Sequence, residues 1–442
     1  MSITEKDITV NSFSLTICGM FRYDKAAFYS RNDIENYFVP WQHRLSESQR
    51  EPTRKHLQNS YYDSFLSNMY PEILHAEMFN SASRANVLNH FTDKQLIEKP
   101  TDYEAIHCEL QDRLSDFSMK FSYIDVYLFP EQTGVFSINI VLEGKPDLAQ
   151  ISNCMYLIRQ PSVLLCINGE HKPLYNFIED EIIKPINGAS DWTAYNPQLK
   201  LFSLIDIANN IDTGDLLAML YDLGNVARLG TAAGNNEFSP SKTYYNDLIE
   251  NHTISVYNNW AALALYDTFT RISINYPDTY RAWENEYFNI YVHCLHLKFY
   301  MYYTNSQLSD IINVSKRTKA IRNEFIAFLN KYQHIQISYK FLPDKIKDRL
   351  FIALDIPSET EHLEQKVQRI NELSQEAKME SSNLILYIIA LLGIVQSIVA
   401  FSDWFVKLGI SDKFVYPNGS LFFSVLLVSL IGAIFLIRNK KR

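Results

Sequence analysis

His293 and His296 lie three residues apart in "YVHCLHLKFY", a spacing that sets two imidazoles on one helix face, where with a third ligand they would chelate a metal ion. The aromatic setting suits two core histidines equally well. Asp212, Thr213 and Gly214 spell the triplet of an aspartic protease. No suitable strand pattern precedes them, and "DTGDLLAMLYDL" opens a helix, so Asp212 is expected to be an N-cap. A small-residue segment, "ARLGTAAGNNEFSPSK" at residues 227–242, places Arg228, Thr231, Asn235, Asn236 and Lys242 where a loop would contact a phosphate or nucleobase. A plain helix C-terminus and linker has the same composition. Glu179, Asp180 and Glu181 suit either a regulatory cation or a solvated helix face. Lys316, Arg317, Lys319 and Arg322 form the densest positive patch outside the C-terminal tail. It suits acidic neighbours, a membrane surface, a nucleotide or plain solvent. No Walker A, Rossmann glycine, HExxH or GxSxG sequence occurs, so no enzyme activity is expected, and the identity of any bound metal is left open.

These residues need elements to hold them. A chain of 442 residues with 47% hydrophobic and 21% charged residues suffices for two or three packed domains. Its 28 Tyr and 27 Phe are dense between residues 244 and 339, which predicts helices packed through large rings. The formal charge of −9 includes +4 from Arg438, Lys440, Lys441 and Arg442, so residues 1–437 carry −13. A body that acidic is a poor nonspecific binder of nucleic acid, and no direct nucleic-acid binding is expected. Cys18, Cys108, Cys154, Cys166 and Cys294 show no zinc-like spacing and read as buried thiols of a reducing compartment. The N-terminus lacks an apolar signal region, so the body is expected in the cytosol.

"KFSYIDVYLFPEQTGVFSINIVLEG", residues 120–144, alternates as a hairpin does, with Pro130 and Gly134 bracketing the turn. A helix at residues 147–159, the strand "SVLLCI" and the helix "LYNFIEDEIIKPI" read as βαβ, with further strands in "SLTICGMF" and "KLFSLIDIA". Residues 1–245 are therefore expected to be an α/β domain, with a boundary at Pro240 and Ser241 and a helical segment over 246–357. From Ser358 to Asn383 no Pro or Gly intervenes, and Leu363, Val367, Ile370, Leu373 and Ala377 mark one face of a stalk helix.

Two apolar runs follow, Leu384–Phe401 without any charge and Leu421–Ile437, each just long enough for a span of roughly 17–25 residues. They predict transmembrane helices at 384–403 and 421–437, joined by a loop over 404–420 whose Trp404, Phe405, Phe414 and Tyr416 suit a membrane interface. The basic tail at 438–442 places both termini in the cytosol and the loop outside. The expected fold class is thus an α+β or α/β cytosolic domain, a helical stalk and two C-terminal transmembrane helices of a multi-pass plasma (inner) membrane protein. At 100° per residue Ala390, Gly393, Ser397 and Ala400 share one narrow sector, with Asn383 near its upstream end. That sector suits close packing between membrane helices or the lining of a narrow pore. Asp403 stands where a ring of carboxylates would mark the outer mouth, or where a solvated loop acid would lie.

This order of parts resembles the CorA family of divalent-cation channels, most clearly in "VYPNGSLFFSVLLVSLIGAIFLIRNKKR", with its aromatic-Pro entry, apolar run and lysine-rich end. The likeness of sequence covers roughly residues 358–442; elsewhere it is one of architecture. The GMN tripeptide expected just after the first run is missing, and "VAFSDWFVKLG" stands there. The resemblance implies a homopentameric membrane channel or transporter gated through its cytosolic domain by a divalent cation such as magnesium or by a nucleotide, with magnesium selectivity in question. CorA-like proteins lacking GMN also resemble the membrane effectors of type III CRISPR systems, which implies an antiviral role and a nucleotide second messenger. The other reading is a membrane-tethered cytosolic sensor or signalling protein without ion conduction.

Overall fold

Apolar side chains alternate with Ser14, Thr16 and Cys18 in β1 (Val10–Tyr23), and nearly all of the strand is buried, because both of its faces are covered. In the computed structural model the described residues are 8–26, 33–74, 86–190, 192–234, 238–276, 282–309 and 316–407. Further strands are β2 (Phe38–Pro40), β3 (Asn89–Asp93), β4 (His107–Leu110), β5 (Arg113–Leu114), β6 (Met119–Phe129), β7 (Thr133–Leu142) and β8 (Leu164–Ile167). They are followed by β9 (Glu170–Pro173), β10 (Ala189–Ser190), β11 (Lys200–Ile207), β12 (Thr253–Ile254), β13 (Trp260–Ala264) and β14 (Thr268–Ile274). The main sheet runs β12-β13-β14-β11-β1-β7-β6-β3-β2, with β10 paired to the end of β1. Its pairings are antiparallel except for β11 with β14, which run parallel from Leu201 opposite Thr268 to Ile207 opposite Ile274. A second sheet, β5-β4-β8-β9, is separate.

The helices that matter here are α1 (Glu47–Ser60), α2 (Asp63–Met69), α3 (Leu148–Leu157), α4 (Thr213–Gly224) and α5 (Lys242–His252). They are followed by α6 (Phe288–Ser309), α7 (Lys316–Tyr332), α8 (Phe341–Ala353) and α9 (Ile356–Lys407). On one face of the main sheet Leu15, Ile17, Ile138, Leu201 and Ile205 join Ile151 of α3 and Leu216 and Leu220 of α4 in one apolar core. On the other face α6 crosses from β11, where Phe288 meets Phe202, to β6, where His296 stacks on Phe129 at 3.6 Å between centroids. Every residue of α6 from Phe288 to Met301 is buried, so its lack of a polar face is that of a core helix. Gly19 and Gly134 are required by close approach: each lies opposite a ring on the next strand, Phe136 and Phe21, where a Cβ would collide.

The hairpin over residues 120–144 forms as β6 and β7. The βαβ reading of the following segment does not hold, because β8 leaves the main sheet and pairs antiparallel with β4 and β9. Residues 253–274, inside the segment expected to be helical, instead form β12, β13 and β14. "WAALA" is too short and too uniformly apolar for periodicity to separate a strand from a buried helix. The chain divides into a compact unit at Met1–Gln365 and a second at Lys366–Arg442.

The expected fold class needs a larger correction. Among the described residues no helix is long and apolar enough to cross a membrane. The stalk and the first apolar run, with nothing between Ser358 and Phe401 to stop a helix, form one continuous 52-residue α9, whose leading half carries Glu359, Glu361, Glu364, Lys366 and Arg369. Asp403, expected at the outer mouth, falls within the same helix, which runs on to Lys407 into the stretch expected to be a loop. The second run, Leu421–Ile437, lies outside the described residues.

Candidate ligand-binding site

Arg228 and Lys242 are both exposed, and the Thr231 hydroxyl closes a local turn on the Arg228 carbonyl at 2.5 Å. The loop that carries them is wrapped about Asp222, which accepts from the Gly230 and Ala232 amides at 2.7 and 2.8 Å. A buried carboxylate holding backbone amides organises a helix C-terminus and leaves those side chains unassembled. Asn235 and Asn236 lie outside the described residues. Asp212 caps α4 by accepting from the Asp215 amide, as expected. Asp180 of the acidic cluster bonds Lys172 and Lys184, Glu181 also bonds Lys172, and Glu179 accepts from Trp192.

His293 and His296 are fully buried in α6. Burial, with the nearby His334, pushes His293 down to about 3, a shift that the Tyr332 backbone beside it only tempers. His296 Nδ1 meets Thr133 Oγ1 at 2.9 Å. No group of His, Cys, Asp or Glu able to hold a metal ion occurs among the described residues. On α9, Asn383, Ala390, Gly393 and Ser397 are exposed; Ser397 Oγ donates to the Gly393 carbonyl at 2.8 Å, the local back-bond of a helical serine. Ala400 belongs to the same helix.

The parallel pairing of β11 with β14 assembles a different site. It brings Lys200, at the start of β11, beside Asp267, just before β14, and the ends of α4, α5 and α8 meet there. They enclose a cavity of about 370 Å³ lined by Arg159, Tyr244, Asp247, His252, Tyr266 and Asp267, with Asn225 and Ala353 among its other walls. Lys200 Nζ lies 2.6 Å from Asp267 Oδ1, and Arg159 Nη2 lies 3.1 Å from Asp267 Oδ2 and 2.8 Å from Gln198. Burial would raise the Asp267 carboxyl, but Lys200 and then Arg159 outweigh it and hold it below its ordinary value. Burial likewise draws the Lys200 ammonium down, more than Asp267 lifts it.

The polar groups of the cavity are complementary in kind. Arg159 Nε is a buried donor with no partner among the described residues. His252 Nδ1 lies 3.0 Å from the Ala264 carbonyl, which can only accept, so Nδ1 carries a hydrogen and donates it there. Asp247 adds acceptors, and Tyr244 and Tyr266 present half-exposed rings. One donor cation, several acceptors and two aromatic faces match a ligand with an anionic group and a planar polar ring.

The cavity is also tied to α9. Lys200 and Lys298 both lie over the Tyr266 ring, at 3.8 and 5.1 Å from its centroid. Lys298, buried on α6, bonds Glu359 in the first turn of α9 at 2.6 Å. Ala353, at the end of α8, is a cavity wall, and between it and α9 Asp355 takes a left-handed conformation at φ 54°. Sequence reasoning missed Arg159, Asp247, His252 and Asp267 because they come from three separate segments, with Asp247 and His252 together on α5, and no motif joins them. Buried lysines at 200 and 298 were the available signal, and only the three-dimensional pairing exposes it. No protein-family model, curated protein or solved structure matches this chain.

Proposed function

We propose that this protein is a membrane effector controlled by a nucleotide-like ligand, which binds in the Arg159–Asp267 cavity and acts on α9. The observation that carries this reading is Tyr266, which walls the cavity while its ring holds Lys298, the partner of Glu359 in α9. A planar ligand that displaces or stacks on Tyr266 changes the setting of Lys298, and with it the anchoring of α9 to the body. Membrane association is supported at the other end of the helix: Ile385, Leu386, Tyr387, Ile388, Ile389 and Leu392 are 46–62% exposed, at positions that go around the helix axis. An apolar surface of that kind in water needs a lipid or protein cover. In the CorA-like form of this proposal, the helices of several copies control passage of a cation. That form is favoured by the exposed small-residue sector at Ala390, Gly393 and Ser397.

The test is purified full-length protein in liposomes, with cation flux followed before and after a panel of mono- and oligonucleotides. Nucleotide-dependent flux, lost in Arg159→Ala and Tyr266→Ala, is expected. Nucleotide binding at that cavity without flux from any cation assigns the protein to the tethered-sensor form. No binding of any nucleotide overturns the proposal.

A further inference from the structure

Far from the Arg159 cavity along the sheet, β6 and β3 carry a buried polar row on the face turned toward α6. Asp125 on β6 lies 3.1 Å from Arg44 Nη1 and 3.0 Å from His90 Nε2. Burial raises the Asp125 carboxyl, but Arg44 and then His90 outweigh it, so the group is ionised. An ionised carboxylate can only accept, which fixes the His90 hydrogen on Nε2; burial also lowers the imidazole's pKa and keeps it neutral. Nδ1 is therefore a bare acceptor. It is buried and has no hydrogen-bond partner among the described residues.

His90 borders a cavity of about 230 Å³ whose walls include Trp41, Glu72, Leu88 and Phe91. Glu72 accepts from Trp41 Nε1 at 2.7 Å and has no cationic partner among the described residues. Burial pushes its carboxyl up to about 7, a value the Trp41 bond only tempers. Two acceptor-bearing side chains, His90 and Glu72, thus border one cavity, which Gln42 and Asn89 also line, and no cation among the described residues meets either acceptor. The Trp41 and His90 rings are within 16° of parallel. A nitrogen lone pair lies in the plane of its ring, so a donor that meets Nδ1 in line lies in the imidazole plane, and a flat group continuing that plane runs nearly parallel to the Trp41 ring. An ammonium group lacks that shape, and a neutral planar donor lacks the charge that Glu72 lacks as a partner.

We propose that this cavity is a second binding site, distinct from the Arg159 cavity, for a planar nitrogen cation of the guanidinium or amidinium class, held by Glu72 and His90 beside Trp41. Ethylguanidinium is titrated into the full-length protein by calorimetry, with propylammonium and N-ethylurea as probes of charge and shape. Saturable binding of ethylguanidinium is expected, about tenfold or more tighter than either comparison compound. Glu72→Gln is expected to weaken it about tenfold. Leu88→Trp, which fills the cavity without touching a polar group, is expected to abolish it, while Asp247→Asn at the other cavity leaves it unchanged. Absence of saturable ethylguanidinium binding overturns the proposal, as does binding that Glu72→Gln and Leu88→Trp both leave intact. Equal binding of propylammonium overturns the planar assignment.

Discussion

α6 and the distal half of α9 both lack a polar face for several turns, yet α6 is buried while Ile385, Leu386, Tyr387, Ile388, Ile389 and Leu392 of α9 are exposed. α6 is buried from Phe288 to Met301 and admits Asn289, His293, His296 and Lys298 among its rings. Most of these polar side chains are given a partner: Asn289 bonds Tyr127 and Tyr70, His296 meets Thr133, and Lys298 meets Glu359. The distal half of α9 carries no charged residue from Leu384 to Phe401, and its Ile385, Leu386, Tyr387, Ile388, Ile389 and Leu392 are exposed. A protein core tolerates polar groups because it can supply partners, whereas an apolar phase supplies none and selects against them. What separates the two helices is the presence of satisfiable polar residues, not apolar length.

The largest effect should come from putting charge where α9 has none. Under the proposed membrane association, replacing Ile385, Ile389 and Leu392 together by Asp is expected to move the protein from the membrane fraction to the soluble one, since it removes the exposed apolar surface that lipid would cover. The melting temperature of the body should stay the same. Retention in the membrane fraction, or a body that unfolds, would place this half of α9 with α6 as a protein-covered helix. The reciprocal change is Phe129→Ala, which removes the ring stacked on His296 and should cost about 3–5 kcal/mol of stability with membrane recovery unaltered. Chemical denaturation of each variant beside membrane fractionation separates the two outcomes.

A third prediction uses the buried histidine of α6. With its folded pKa near 3 against an ordinary 6.5, His293 favours the folded state above pH 6.5 and loses that contribution as pH falls toward 3. Glu72, raised from 4.5 to about 7, behaves oppositely: its contribution is complete below pH 4.5 and is lost as pH rises through 7. Replacing His293 by Gln should flatten the acid limb of a stability–pH curve, and Glu72→Gln the limb from 4.5 to 7. An unchanged acid limb in His293→Gln would mean that the α6 interior admits water.

How far the sequence exposes this arrangement follows the range of the signal. Where neighbours along the chain decide, the pattern is readable: Asp212 caps α4, and Pro130 and Gly134 bracket the β6–β7 turn. Where the decision lies between distant segments, it is hidden. "WAALA" becomes β13 only because β14 lies beside it, and β8 leaves the main sheet because β4, more than fifty residues earlier, offers an edge. The ligand cavity is hidden for the same reason, since the one parallel pairing in the main sheet brings Lys200 to Asp267 across 67 residues. The loop at residues 227–242 looked more like a binding segment because its small and polar residues are contiguous. Its amides are instead spent on Asp222.

The smallest effect on stability should be the most informative about coupling. Glu359 is about a third exposed, so replacing it with Gln in the bond to Lys298 should cost only about 1 kcal/mol, with the amide oxygen still able to accept from the ammonium. Nothing in the cavity wall is removed, because Tyr266, Arg159 and Asp267 stay in place, so ligand affinity should change less than about twofold. What is removed is the charge that fixes the first turn of α9 to a lysine held over Tyr266. If that contact carries the response, Glu359→Gln binds ligand normally and no longer changes any membrane readout. If the response survives, coupling runs through Ala353 and the left-handed Asp355 instead. Asp355→Pro, which forbids that conformation, would then be the variant that separates binding from output.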